Sequence, residues 1–150
     1  MTSSQDISID VLNAVYAAER SSLVPRLAES SLFFAWGDAR QLAQVQRIIA
    51  EQQEHQAWLF EAIDRLDGSV YPSTPNAMSA NLHYLDLTAV LPEVVADVDR
   101  RLERLTAAAN TPNLAHVAVD TLSRMQSRMQ QHLVALTQLR DRIASAQPTA

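Results

Sequence analysis

The stretch "LAQVQRIIAEQQEHQAWLFEAIDRL", residues 42 to 66, reads as one amphipathic helix with a polar centre. Leu42, Val45, Ile49, Gln52, Gln56, Leu59, Ile63 and Leu66 follow one another in steps of three and four, the spacing that puts side chains on one helical face. Two glutamines interrupt that apolar face at mid-helix. At about 100° per residue His55 lies roughly 60° from Gln52 and stays on the inward side, whereas Glu51 falls on the flank and Glu54 points nearly opposite. A buried polar group must find a partner, so this centre calls for complementary groups on neighbouring helices.

Working outward, Gly37 precedes Asp38, whose side chain can cap a helix with Gln41 three residues on, and Gly68 stands where that helix should stop. Thr111-Pro112 reads as an N-cap followed by a first-turn proline. These signals predict four helices, about 9–34, 39–67, 86–109 and 112–145. Pro25 and Pro92 fall inside two of them and predict kinks or local starts. No strand pattern competes. The connection "SVYPSTPNAMSANLHY", residues 69–84, is long enough to return along a whole helix. Helices two and three should therefore run parallel, giving an all-α, up-down-down-up four-helix bundle with one long crossover.

The other helices supply candidate partners. Helix one steps through Leu12, Tyr16, Glu19, Leu23, Leu27 and Phe34, which turns the Glu19 carboxylate inward. Helix four steps through Ala118, Leu122, Met125, Met129, His132, Leu136, Leu139 and Ile143, with His132 in mid-stripe. Helix three runs Leu87, Leu91, Val94, Val98, Leu102 and Leu105 and offers Glu93 only at its flank. Folding helices one and two about residue 36 brings Glu19 level with His55, and folding three and four about residue 110 brings His132 opposite residues 89–93. His83 and His116 fall outside this level, Met125 and Met129 read as core filler, and the arginines of "DRRLER" and "SRMQSRMQ" read as ion-paired outer faces.

Composition narrows the functions. The 150 residues suit one domain, the formal charge is −5, and all twelve cations are arginines dispersed among carboxylates, which argues against nucleic acid. The absence of cysteine excludes disulfides and thiolate sites. The opening "MTSSQDISID" lacks the pattern of a secretory signal, and no apolar run approaches a membrane span. The expectation is a soluble, cytoplasmic protein without membrane or nucleic-acid partners.

The layout of the helices, together with "ERSSLVPRLAES", "EQQEHQAWL" and "NLHYLDLTAVLP", resembles small bacterial members of the ferritin-like superfamily over nearly the whole chain. The resemblance implies a di-iron-type site built from Glu on helix one, Glu-x-x-His on helix two, Glu on helix three and Glu-x-x-His on helix four. Glu19, His55 and His132 match that pattern, while Gln52 and Met129 stand where two carboxylates belong. The implied set is incomplete and suits one divalent ion, iron, manganese or zinc, held by Glu19, His55 and His132, with Glu51 able to join and Tyr16 as a supporting hydrogen-bond partner. The competing expectation is a non-catalytic bundle whose Glu19, Gln52, His55, Gln56 and His132 layer satisfies itself without metal. Three-histidine bundle hydrolases are disfavoured, since no His-x-x-x-His pair occurs. A homodimer is expected, pairing along helices one and two, with Phe33, Phe34 and Trp36 adding aromatic surface near one end.

Overall fold

A computed structural model describes residues 3–72 and 84–146. Its elements in chain order are α1 (Ser4–Arg20), α2 (Val24–Glu29), β1 (Ser31–Phe33), α3 (Ala39–Arg65), β2 (Tyr84–Asp86), α4 (Leu87–Ala109) and α5 (His116–Ala146). The chain is mostly helical, and α1 and α5 each pack against both α3 and α4. The centre is filled by Leu12, Leu59, Leu91, Leu122, Met125 and Met129, so both methionines serve as packing.

The first predicted helix is broken in two. Ser21 and Ser22 turn their hydroxyls back onto the carbonyls of Ala17 and Glu19, and Ser22 Oγ also accepts from the Val24 amide. These local bonds replace the helical ladder, and Pro25 begins α2 as a first-turn proline. The chain then forms β1, which pairs in parallel with β2 through Ser31 and Tyr84, Leu32 and Leu85, Phe33 and Asp86. The expectation of no strand is corrected by this three-residue pair, too short to show a period.

The start of α3 is as predicted, with Asp38 and Gln41 forming reciprocal capping bonds of 2.9 Å. At its end the left-handed residue is Asp67 (φ 59°) rather than Gly68. Gly68 is required for another reason: a Cβ there would lie 2.9 Å from the side chain of Ile9 on α1. Helix α5 starts at His116, not at residue 112, because Asn113 takes a left-handed turn (φ 65°) and the Ala115 amide donates to Ser8 Oγ. Pro92 sits within the continuous α4.

Hydrogen bonds locate the helix ends. The Ala35 and Trp36 amides donate to Asp86 Oδ1 and Thr88 Oγ1, so the beginnings of α3 and α4 are neighbours. Gln5 bonds the Leu66 carbonyl, and Asn13 Nδ2 donates to the Ser69 carbonyl, so the beginning of α1 meets the end of α3. Most of the crossover, with His83, lies outside the described residues. Among the described residues no helix is long and apolar enough to cross a membrane.

Candidate functional site: a buried arginine-centred layer

Of the polar level expected from the sequence, Glu19, Gln52 and His132 are joined in one network, and its organiser is a residue assigned there to an outer face. Arg101 on α4 is buried, and its guanidinium donates in three directions. Nη1 reaches Glu19 Oε2 of α1 at 2.7 Å, Nη2 reaches Gln52 Oε1 of α3 at 2.6 Å, and Nε reaches Asp97 Oδ2 one turn earlier at 2.9 Å. Desolvation pushes the Glu19 carboxyl up from its ordinary value, Asp97 adds to that rise, and the attraction of Arg101 opposes it.

The layer continues through Gln52 to α5. An arginine can only donate, so the Gln52 amide must turn its oxygen to Arg101 and its nitrogen to His132. Gln52 Nε2 lies 3.2 Å from His132 Nδ1, which therefore accepts. The His132 proton then resides on Nε2, 3.1 Å from Glu51 Oε2, and is donated to that carboxylate. Burial lowers the His132 pKa while the Glu51 bond works against that shift. The His132 hydrogen bond holds the half-buried Glu51 carboxyl below its ordinary value, with Arg128 assisting at 3.2 Å. Arg128 also pairs with Glu54 at 2.9 Å, so Glu54 is solvent-facing but paired.

His55 is the exception. Its side chain is fully buried, yet neither ring nitrogen has a hydrogen-bond partner among the described residues. The ring sits 4.9 Å from Trp58 and 6.4 Å from His132, nearly parallel to the latter. Desolvation, with Arg128, His132 and Arg101 adding to it, drives its pKa down to about 3, so the imidazole is neutral.

These contacts bear on the metal expectation. Glu19 is engaged by a permanent cation and both nitrogens of His132 are in use, which leaves His55 as the one unengaged donor of the expected set. A divalent ion at Glu19 would face the Arg101 guanidinium directly. The described residues contain no group of three His, Asp or Glu side chains disposed around one point. As arranged, Glu19, Glu51, His55 and His132 do not fit a metal ion: Glu19 belongs to one cluster, Glu51 and His132 to another, and Gln52 joins them. Tyr16 makes no hydrogen bond to Glu19 among the described residues, Glu93 is exposed, and His116 is a surface residue 3.3 Å from Asp120.

Arg101 was legible in principle. Continuing the alternation of four and three from Val98 lands on Arg101 and then Leu105; stepping to Leu102 follows the apolar residue instead of the period. The depth of His132 was also misjudged. Gln126 donates to Thr106, so six residues further along α5 His132 lies level with about residue 100, beside Arg101 rather than residues 89–93. The error follows from the non-helical residues before α5.

Compared with known protein families, characterised proteins and solved structures, the chain matches none.

Proposed function

We propose that this chain is a non-catalytic helical bundle acting as a structural or protein-interaction module, with a metal-free polar layer at its centre. The observation that carries the reading is the Arg101 guanidinium, which supplies the one buried cation among the described residues and engages Glu19, Gln52 and Asp97 together. A covalently attached cation cannot dissociate or change oxidation state, so this centre suits architecture better than redox or hydrolytic chemistry. The same reading takes the four long helices as an up-down-down-up bundle, ferritin-like in outline. It is supported by the parallel β1–β2 pair, the neighbouring starts of α3 and α4, and the bond from Arg101 to Gln52 near the middle of both helices.

The second reading, a degenerate di-iron-type site holding one divalent ion, draws on the nitrogens of the buried His55, unpartnered among the described residues. Melting temperature against added iron(II), manganese(II) or zinc(II) separates the two. An ion at a hundred times its Kd stabilises the folded state by about 2.7 kcal/mol, roughly 5–10 °C for a chain of this size. Protein purified without an affinity step should be metal-free and show no rise. A rise of that order, lost in Glu19→Leu, His55→Leu and His132→Leu, overturns the module reading.

A further inference from the structure

The outer face of α3 carries a pattern that the core does not explain. Ala43, Gln46, Ala50, Gln53, Ala57 and Phe60 succeed one another in steps of three and four, and all are exposed, Phe60 at 57%. That spacing is the one by which a helix meets another helix in a coiled coil. A second exposed row, Arg40, Arg47, Glu54 and Glu61, runs beside it at seven-residue intervals, positive in its first half and negative in its second. Along the other border lies a groove of about 210 Å³, with Leu27, Leu32 and Ile49 among its walls.

We infer that this face binds the same face of a second copy of the chain, with the two α3 helices antiparallel about a two-fold axis between residues 51 and 52. Reversal about that point sets Ala43 against Phe60, Gln46 against Ala57, and Ala50 against Gln53, so every larger side chain meets an alanine. The same reversal brings Arg40 near Glu61 and Arg47 near Glu54, within two residues of level and within reach of long side chains. A parallel pairing would stack Phe60 on Phe60 and Arg40 on Arg40. Complementarity of size and of charge under one operation is what an isologous contact requires, and an unrelated partner has no reason to match both. Arg40 and Glu61 make no ion pair among the described residues, while Arg47 and Glu54 have only the partly exposed partners Glu51 at 3.6 Å and Arg128 at 2.9 Å. The inference deepens the interaction-module reading by naming its partner and rests on it.

Light scattering and sedimentation of the full chain at micromolar concentration should give twice 16.6 kDa. Ala50→Glu puts charge beside the axis on an exposed helical position that glutamate tolerates well, and should give a monomer with unchanged circular dichroism. Arg40→Glu and Glu61→Arg should each weaken dimerisation roughly threefold or more, and the double variant should recover it. A monomeric wild type, a dimer indifferent to Ala50→Glu, or a double variant no better than the single ones overturns the inference. None of these results bears on the metal titration, and a metal-dependent melting temperature would leave the mass untouched, so the two failures are distinguishable.

Discussion

Replacing His55 by leucine should stabilise the protein at neutral pH, and by a widening margin as the medium is acidified. In the wild type a wholly buried imidazole keeps both nitrogens without partners among the described residues, and one of them carries a proton. A buried polar group left unpaired costs about 1–3 kcal/mol, whereas a swap that roughly conserves volume costs under about 1.5 kcal/mol. The balance favours leucine by about 1 kcal/mol at pH 7.

Acid then separates the two proteins. The folded pKa is about 3 against an ordinary value of 6.5. Below pH 6.5 the unfolded chain takes up a proton that the folded chain refuses until about pH 3, so wild-type stability falls as pH falls through that window. The loss is about 1.4 kcal/mol per pH unit, or about 2 kcal/mol at pH 5. Glu19, Glu51 and His132 titrate in both proteins and largely cancel in the comparison. Urea unfolding followed by far-ultraviolet circular dichroism at pH 7 and pH 5 measures the gap. If it fails to widen by about 1 kcal/mol, or if leucine is the less stable at both pH values, the reading of His55 as a buried, unpartnered neutral ring is wrong.

Arg101→Leu should cost about 3–5 kcal/mol in urea unfolding, because it strands Glu19 and Asp97, and Glu19→Gln in the same chain should recover part of that loss. Gly68→Ala should cost about 1–3 kcal/mol, since the new Cβ meets Ile9 at 2.9 Å, and should cost clearly less in an Ile9→Ala background; equal costs in both backgrounds would remove the contact as the cause.

The inward positions of Glu19, Gln52, His55 and His132 were legible because each lies within a long, regular apolar stripe, where period alone assigns the face. The Asp38 cap was legible because its chemistry is contained in four residues. What failed was not fixed by the apolar period. Whether Ser21 and Ser22 break the helix is decided by hydroxyls competing for their own backbone, and serine also occurs within intact helices. The three-residue pairing of β1 with β2 depends on where the crossover returns the chain, which length bounds but does not aim. Arg101 was missed because a charged residue on a helix is ordinarily solvated, a rule that holds until a buried carboxyl lies opposite.

The arrangement of the layer accounts for its presence better than stability does. Apolar packing is non-directional, so a core of leucines penalises a one-turn slip between helices only through imperfect fit. Here Glu19, Glu51, Gln52, Asp97, Arg101 and His132, from four helices, are joined by bonds whose direction is set at one point. Arg101 can only donate, which orients Gln52, which makes His132 Nδ1 an acceptor, which leaves its other nitrogen to donate to Glu51. A slip of α4 against α1 would separate the guanidinium from Glu19 while both remained buried, and a separated pair of that kind costs several kcal/mol. A slip of α5 against α3 would take His132 away from both Gln52 and Glu51. Each long helix is therefore held at one depth by a bond that tolerates no alternative register.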